Sequence, residues 1–443
     1  QNGFFQILDL PTTSYNITAS FIGFKSQTKF NIIVKSVGNQ SLDYSLNPTS
    51  DILDEVILIE SPFKTSIETP LSTQTFSAVE IESYPGGNND ITRVIQSLPG
   101  ISPSVGGFRN DIIIRGGGPN ETIYYLDGIE IPNINHFSTQ GSSGGPVGLV
   151  NISFIKDVTL STSSFGAEYD NALSGVLAFN QRDANKEKLS GNFRLGSSEA
   201  GLTIEGPIND KSSFIFSLRR SYLQFIFKAF GFSFLPDYWD YQFKLSHEID
   251  NNNSIKLIGI GSIDRLTVNE PDEFDFENQS VIEQIPLTNQ NTETFGLTWR
   301  RKYKSVNGFF DLSISNNNLN NNFIRYKNNL TKSDPTYSNI SRENETKLRF
   351  ISNHNINDLK FSFGFNLMSA KYTNKTKFDY FNINYSTDLN LIKYGFFVKS
   401  SKLFFNQDLG LSLGFRFDQD NFTSNNNIFR NFSPRLSLSY SLS

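Results

Sequence analysis

Residues able to do chemistry are sparse in this chain, and their spacing does not build a reaction centre. There are three histidines, His136, His247 and His354, and no cysteine. Without Cys there is no disulfide, no thiolate nucleophile and no thiolate metal ligand. His247-Glu248 lacks the second histidine of a zinc-binding helix and sits in a strand-like alternation, so neither a metal site nor a triad is expected. Gly116-Gly117-Gly118 is followed by no Gly-Lys-Ser/Thr and by no long helix, so it reads as a turn and not as a phosphate loop. The acidic run Asp272-Glu273-Phe274-Asp275-Phe276-Glu277 lacks the Asp-x-Asp-x-Asp-Gly spacing of a calcium loop and reads as a solvated loop. A net charge of −5 with no basic block argues against a nucleic-acid partner. No cofactor is implied, and an enzyme is not expected.

The surrounding elements are more informative than the reactive residues. Two apolar runs, Asp111–Arg115 and Thr122–Ile131, are bounded by Gly, Pro, Asn and Asp and read as two short strands with a tight glycine connection. Before them, Ile91, Val94, Ile95 and Leu98 fall at helical spacing, Asn89 or Asp90 can cap, and Pro99-Gly100 ends the helix. Ile152–Leu160 and Ser174–Phe179 read as further strands. Together these make a small mixed α/β domain over 63–185.

From Leu189 the pattern changes to segments of strict alternation. Leu359, Phe361, Phe363, Phe365 and Leu367 oppose Lys360, Ser362, Gly364 and Asn366. Leu409, Leu411, Leu413, Phe415 and Phe417 oppose Gly410, Ser412, Gly414 and Arg416. No apolar run is long enough for a transmembrane helix, and 42 Phe with only 19% charged residues suit strands with one face in lipid. Short turns are expected near 207–211, 250–252, 303–306, 353–357 and 401–406. Long polar loops are expected near 221–236, 264–290, 319–341, 371–385 and 419–428. Short on one side and long on the other is the signature of an outer-membrane barrel, here of about twelve strands. Residues 1–46 alternate in short strands, and Asp51–Glu60 is an apolar run between acidic residues, closed by Ser61-Pro62.

Leu98-Pro99-Gly100-Ile101, Ile112-Ile113-Ile114-Arg115-Gly116-Gly117-Gly118 and Tyr124-Tyr125-Leu126-Asp127-Gly128-Ile129-Glu130-Ile131-Pro132 resemble, in this order, the plug domain of TonB-dependent outer-membrane receptors, closest to the Bacteroidetes-type branch. The resemblance covers essentially the whole chain. It implies a mainly β protein: a partial carboxypeptidase-regulatory-like β-sandwich without catalytic residues (1–47), a linker with a Ton-box-like strand (48–62), a plug (63–185) and the first half of a transmembrane antiparallel barrel (186–443). The chain is expected to be truncated at both ends. The implied function is TonB-dependent import across the bacterial outer membrane, with the plug and N-terminal domain facing the periplasm; the alternative is a non-transporting signalling or adhesion receptor. Implied partners are TonB with its ExbB/ExbD energy supply, outer-membrane lipid and lipopolysaccharide, a surface lipoprotein and an extracellular substrate. The Ton-box candidate is Asp54, Glu55, Val56, Ile57, Leu58 and Ile59. Arg115 and Gly116 match the plug–barrel contact region, with Arg93 and Arg109 as further candidates to pair with acidic wall residues. Asn133, Asn135, His136 and Phe137, in a plug loop, are candidate substrate contacts.

Overall fold

The computed structural model describes residues 5–7, 14–21, 27–33, 42–46, 73–85, 90–103, 110–138, 145, 147–163, 165–196, 198–270, 276–356, 358–405, 408–423 and 427–440. Near the N-terminus, β1 (Ser14–Ala19) pairs antiparallel with β2 (Gln27–Ile33).

The plug begins with β3 (Thr73–Ser77) and α1 (Ala78–Ser83). Ser77 and Glu80 form a reciprocal capping box, satisfying two backbone N–H groups that the first turn leaves free. Helix α2 (Ile91–Gln96) falls where the spacing predicts, capped by Asp90, whose carboxylate accepts from the Thr92 amide at 2.9 Å. Ile91, Val94 and Ile95 are buried on its inner face. The two-strand expectation for 111–131 needs correction. The first run forms β5 (Ile113–Ile114), which pairs with β4 (Ile101–Ser102). The second run folds on itself as β6 (Thr122–Leu126) and β7 (Ile129–Ile131). The cause is local. Asp127-Gly128 takes positive φ at both positions (48° and 83°), the two-residue turn whose twist matches a hairpin. With β8 (Ile155–Ser161) and β9 (Gly175–Gln181), the sheet runs β3-β8-β9-β6-β7, with only β6 and β9 parallel.

Twelve antiparallel strands follow in a single meander, matching the expected number. They are β10 (Ser190–Leu195), β11 (Glu199–Asn209), β12 (Ser212–Ser221), β13 (Phe234–Asp250), β14 (Asn253–Val268), β15 (Leu287–Lys302), β16 (Asn307–Asn328), β17 (Ser333–Ile356), β18 (Leu359–Phe378), β19 (Ile383–Phe404), β20 (Leu409–Asp420) and β21 (Phe432–Tyr440). The short turns lie where expected. At one of them Asp250 accepts from the Asn252 and Asn253 amides and closes the β13–β14 turn.

The long-loop side differs from expectation. Residues 319–341 and 371–385 are mostly paired strand, continuing β16–β17 and β18–β19 to tight tips. The reason is that a ladder is held by backbone hydrogen bonds and tolerates polar side chains on both faces once both meet water. At about 3.3 Å per residue, the 24 residues of β17 extend far beyond the 9–11 that cross a bilayer. Two of the other three long connections near this rim carry α3 (Leu223–Ala229) and α4 (Phe276–Gln284).

The apolar core lies in the plug and reaches the wall. Ile95, Ile112, Ile114, Leu126, Phe154, Val158, Leu160, Leu177 and Phe179 pack with Ile215, Ile258 and Ile260 of β12 and β14. Phe154 is fully buried at the entry to β8. Phe154→Ala should destabilise the plug by about 3–5 kcal/mol. Hydrogen exchange in the full protein should then accelerate at the β8 and β9 amides. Phe365→Ala, on the exposed outer face of the wall, should leave those amides unchanged.

Candidate functional site: the seam between plug and wall

The alternation of each barrel strand places small, polar and charged residues on the inner face and apolar residues outside. On β13, Asp240, Gln242 and Lys244 are buried, whereas Trp239 and Leu245 are exposed. The buried inner side chains meet the plug along one continuous seam.

At the plug apex, His136 is fully buried between two wall carboxylates. Its Nδ1 lies 2.7 Å from Asp264 and its Nε2 3.2 Å from Asp240, and the ring stacks on Tyr238 at 4.0 Å. The Phe137 amide donates to Asp264 at 3.0 Å. Arg219 extends the cluster. It donates to Asp240 at 2.9 Å and to the Gly148 and Leu149 carbonyls at 3.1 and 2.7 Å. The apex hairpin is therefore pinned at both ends of its base. Burial pushes the imidazole pKa down, but Asp264 and Asp240 outweigh it and hold His136 up at about 9. It is an imidazolium at neutral pH and donates from both nitrogens.

Lower in the seam, Lys244 reaches Asp127 and Asp183, each at 3.1 Å. Lys347 bridges Glu130 at 2.8 Å and Glu345 at 2.7 Å. Asn151 donates to Gln242 and Ser217 at 3.0 and 2.7 Å. Plug residues 165–171 are fastened by the strands β17–β21. Lys399 pairs with Glu168 at 2.8 Å, Arg416 donates to the Ala167 carbonyl at 3.1 Å, and Arg435 donates to the Phe165 and Tyr169 carbonyls at 2.7 and 3.1 Å. Burial alone would raise the Glu168 and Asp170 carboxyls. Lys399 beside Glu168, and Arg416 with Lys393 beside Asp170, reverse that and hold both below the usual range.

The seam's polarity is largely the reverse of the sequence expectation. The plug supplies Asp127, Glu130, Glu168, Asp170 and Asp183, and the wall supplies their lysines and arginines, whereas plug Arg182, donating to Glu205 of β11 at 2.7 and 2.8 Å, and His136 run in the expected direction. Arg115 donates to Thr162 within the plug, at 3.5 Å, and takes φ 51° beside Gly116 at 79°. Arg93 is exposed on α2. Neither forms an ion pair with the wall among the described residues, and Arg109 lies outside them. Asn133 hydrogen-bonds Ser138, and Asn135 meets Thr92 and the Asn110 carbonyl, each at 3.4 Å. Residues 54–59 and 272–275 also lie outside the described residues. The wall cations Lys244, Lys347, Arg349, Lys393, Lys399, Arg416 and Arg435 were missed, although each occupies the polar phase of an alternating strand. That phase was the available signal.

A small α/β domain keyed by charge to the inner face of a twelve-stranded antiparallel wall is the arrangement of a plug inside part of a β-barrel. Residues 65–176 match the family described as TonB-dependent Receptor Plug Domain. Solved structures agree over most of the chain. A mutant of the ferric enterobactin receptor PfeA from Pseudomonas aeruginosa superposes with TM-score 0.63 at 15% identity, over 84% of this chain and 60% of that one. The siderophore receptor PirA from Acinetobacter baumannii gives 0.62 at 17%, over 84% and 59%. The copper transporter OprC gives 0.59 at 13%, over 79% and 54%. No curated protein matches the sequence. Residues 65–176 are thus a TonB-dependent receptor plug domain, the chain shares the fold of these outer-membrane receptors, whose plug faces the periplasm, and it spans 54 to 60% of the length of the solved structures just named.

The charge on His136 gives the apex clamp a definite pH dependence. Its pKa is raised from an ordinary value near 6.5 to about 9 by the two aspartates. The clamp's ionic contribution is therefore complete below pH 6.5 and is lost as pH rises through about 9. Protection of the 134–149 amides from hydrogen exchange, corrected for intrinsic rates, should fall over that window. His136→Asn should show weaker protection at pH 6 and no such fall.

Proposed function

We propose that this receptor imports a substrate across the outer membrane, driven by TonB with ExbB/ExbD and gated by movement of the plug. The observation that carries the reading is the seam. The plug is held to the wall by ion pairs and hydrogen bonds, which water can replace one by one, in addition to a small apolar contact at Ile215, Ile258 and Ile260. Such a stopper can be shifted without unfolding the wall. Substrate would arrive at the apex, at Asn133, Asn135, His136 and Phe137, the last two of which meet the outer halves of β13 and β14.

The segment Asp54, Glu55, Val56, Ile57, Leu58 and Ile59 is proposed as the Ton box. It would bind by adding a strand to a sheet edge of TonB, a mode that uses main-chain hydrogen bonds and needs little from side chains. It precedes β3, which among the described residues lies at the edge of the plug sheet and pairs only with β8, so tension there acts on an outer strand first. Residues 1–47 are proposed as part of a carboxypeptidase-regulatory-like sandwich, and the β1–β2 hairpin is compatible with that.

Deleting Asp54–Ile59 should abolish substrate uptake by whole cells while surface binding stays at the wild-type level. Loss of both together would remove the Ton-box assignment.

A further inference from the structure

One register row crosses the inner face of five consecutive wall strands. Tyr238 of β13 stands opposite Asp264 of β14, Asp264 opposite Gln290 of β15, Gln290 opposite Asn321 of β16, and Asn321 opposite Ser341 of β17. Neighbouring strands lie about 4.8 Å apart, so the last three positions span about 10 Å. The first three positions hold the plug apex. Tyr238 stacks on His136, Asp264 takes His136 and the Phe137 amide, and Gln290 donates to the Ser138 carbonyl and hydroxyl, each at 2.9 Å. There the clamp stops, but the polar row continues.

Asn321 and Ser341 are as buried as the clamp residues, at 1% exposure each. Among the described residues, neither amide atom of Asn321 nor the Ser341 hydroxyl has a hydrogen-bond partner. The Gln290 amide oxygen is unpaired as well. So is that of Asn133, whose Nδ2 shares the Ser138 hydroxyl with Gln290. Buried polar groups are nearly always paired, and an unpaired one is costly. Four such side chains in succession mark a place where a partner is taken up.

The chemistry of the unpaired atoms selects that partner. Three amide oxygens only accept, the Asn321 Nδ2 only donates, and the Ser341 hydroxyl does either. Carboxylates, phosphates and metal-bound catecholates bring acceptors alone. On β14–β18 the inward positions directly above and below the row carry no Lys or Arg. The charged residues there are acidic, Asp264 in the row and Glu343 diagonal to Asn321. A neutral molecule with hydroxyls on adjacent carbons brings a donor and an acceptor at every oxygen. We propose that Asn133, Gln290, Asn321 and Ser341 form the recognition site for an uncharged, polyhydroxylated substrate, a neutral oligosaccharide. The assignment rests on the import reading and names the class of its substrate. The row is closed to bulk water in this structure, so the ligand displaces what covers it. Ser138 directly follows the His136–Phe137 clamp, so a ligand that takes over the Gln290 amide loosens the apex at the adjoining residue.

The test is binding to the full receptor in detergent, read by native mass spectrometry without TonB. The probes are short neutral oligosaccharides from starch, dextran, xylan and mannan, with neutral alanine peptides and a ferric tris-catecholate complex as rivals. Wild type should retain at least one oligosaccharide at millimolar concentration and neither rival. Asn321→Leu and Ser341→Ala should each weaken that binding by at least about tenfold. Each removes unpaired buried polar atoms, so Tm should hold or rise; a fall would mark a structural role instead. Asn322→Ala, on the exposed outward face of β16, should bind as wild type does. Heat-modifiable gel mobility reports whether each barrel is folded. Should a variant not fold, wild type still decides, because bound oligosaccharide must alter hydrogen exchange at the 133–138 amides. No oligosaccharide retained, undiminished binding by the folded variants, or retention of a rival overturns the proposal. Oligosaccharide binding without uptake by whole cells would overturn import and leave this site standing.

Discussion

The contact between plug carboxylates and wall cations is the constraint on which the rest of this structure depends. A buried ion pair contributes little net stability compared with apolar packing of the same volume, because desolvating both charges offsets most of their attraction. Removing one partner is costly, since the other is left buried and unpaired. The seam therefore selects one seating of the plug strongly while adding little to its total adhesion. Lys347 illustrates this. It serves Glu130 of the plug and Glu345 of its own strand at almost equal distance, so it stays paired if the plug leaves. Arg416 likewise keeps Asp418 at 2.7 Å when its contact to the Ala167 carbonyl is lost. These wall cations do not become naked charges on unseating, which lowers the cost of moving the plug.

The two-residue period of the strands makes the seam possible. One face must be apolar to meet lipid, and the other is free to be polar. Glycine widens the inner face where the plug approaches closely. A Cβ on Gly296 of β15 would fall 2.6 Å from Ile129, and one on Gly414 of β20 would fall 3.0 Å from Ala167. Wall and plug thus meet by charge at some positions and by the absence of a side chain at others.

The same period explains what could be read in advance. The twelve strands, their short turns and the apolar phase were legible because alternation is a local property. Helix α2 was legible from four apolar residues and a cap. The β6–β7 hairpin was hidden because Thr122–Ile131 is one apolar run, and only Asp127-Gly128 marks the turn. The tall hairpins were hidden because the Asn-rich outer face of β16 has the composition of a loop. The seam was legible in kind but not in direction. Arg115 stands out in the sequence beside three glycines, yet its neighbourhood is a turn with two positive φ angles that aims it at Thr162. Pairing across 61 to 270 residues of chain cannot be inferred from either partner's local context.

Contacts run without a break from the apex towards the N-terminal side of the plug. His136 is clamped to the wall, and its neighbour Asn135 meets Thr92 in the first turn of α2. Asn135 also holds the Asn110 carbonyl, and the Asn110 amide donates at 2.6 Å to Asp90, the cap of α2. Burial raises the Asp90 carboxyl, against the opposing pull of the Thr92 amide, so this cap sits in a poorly solvated pocket. Gly148, whose carbonyl Arg219 holds, packs against the same carboxylate so closely that a Cβ there would fall 2.9 Å from it. One carboxylate thus feels both strands of the apex hairpin and starts the helix that precedes the plug's glycine turn. Displacing the apex by more than a hydrogen-bond length removes partners from that cap at once. The strain would fall on α2, a six-residue helix whose inner face is its main remaining anchorage.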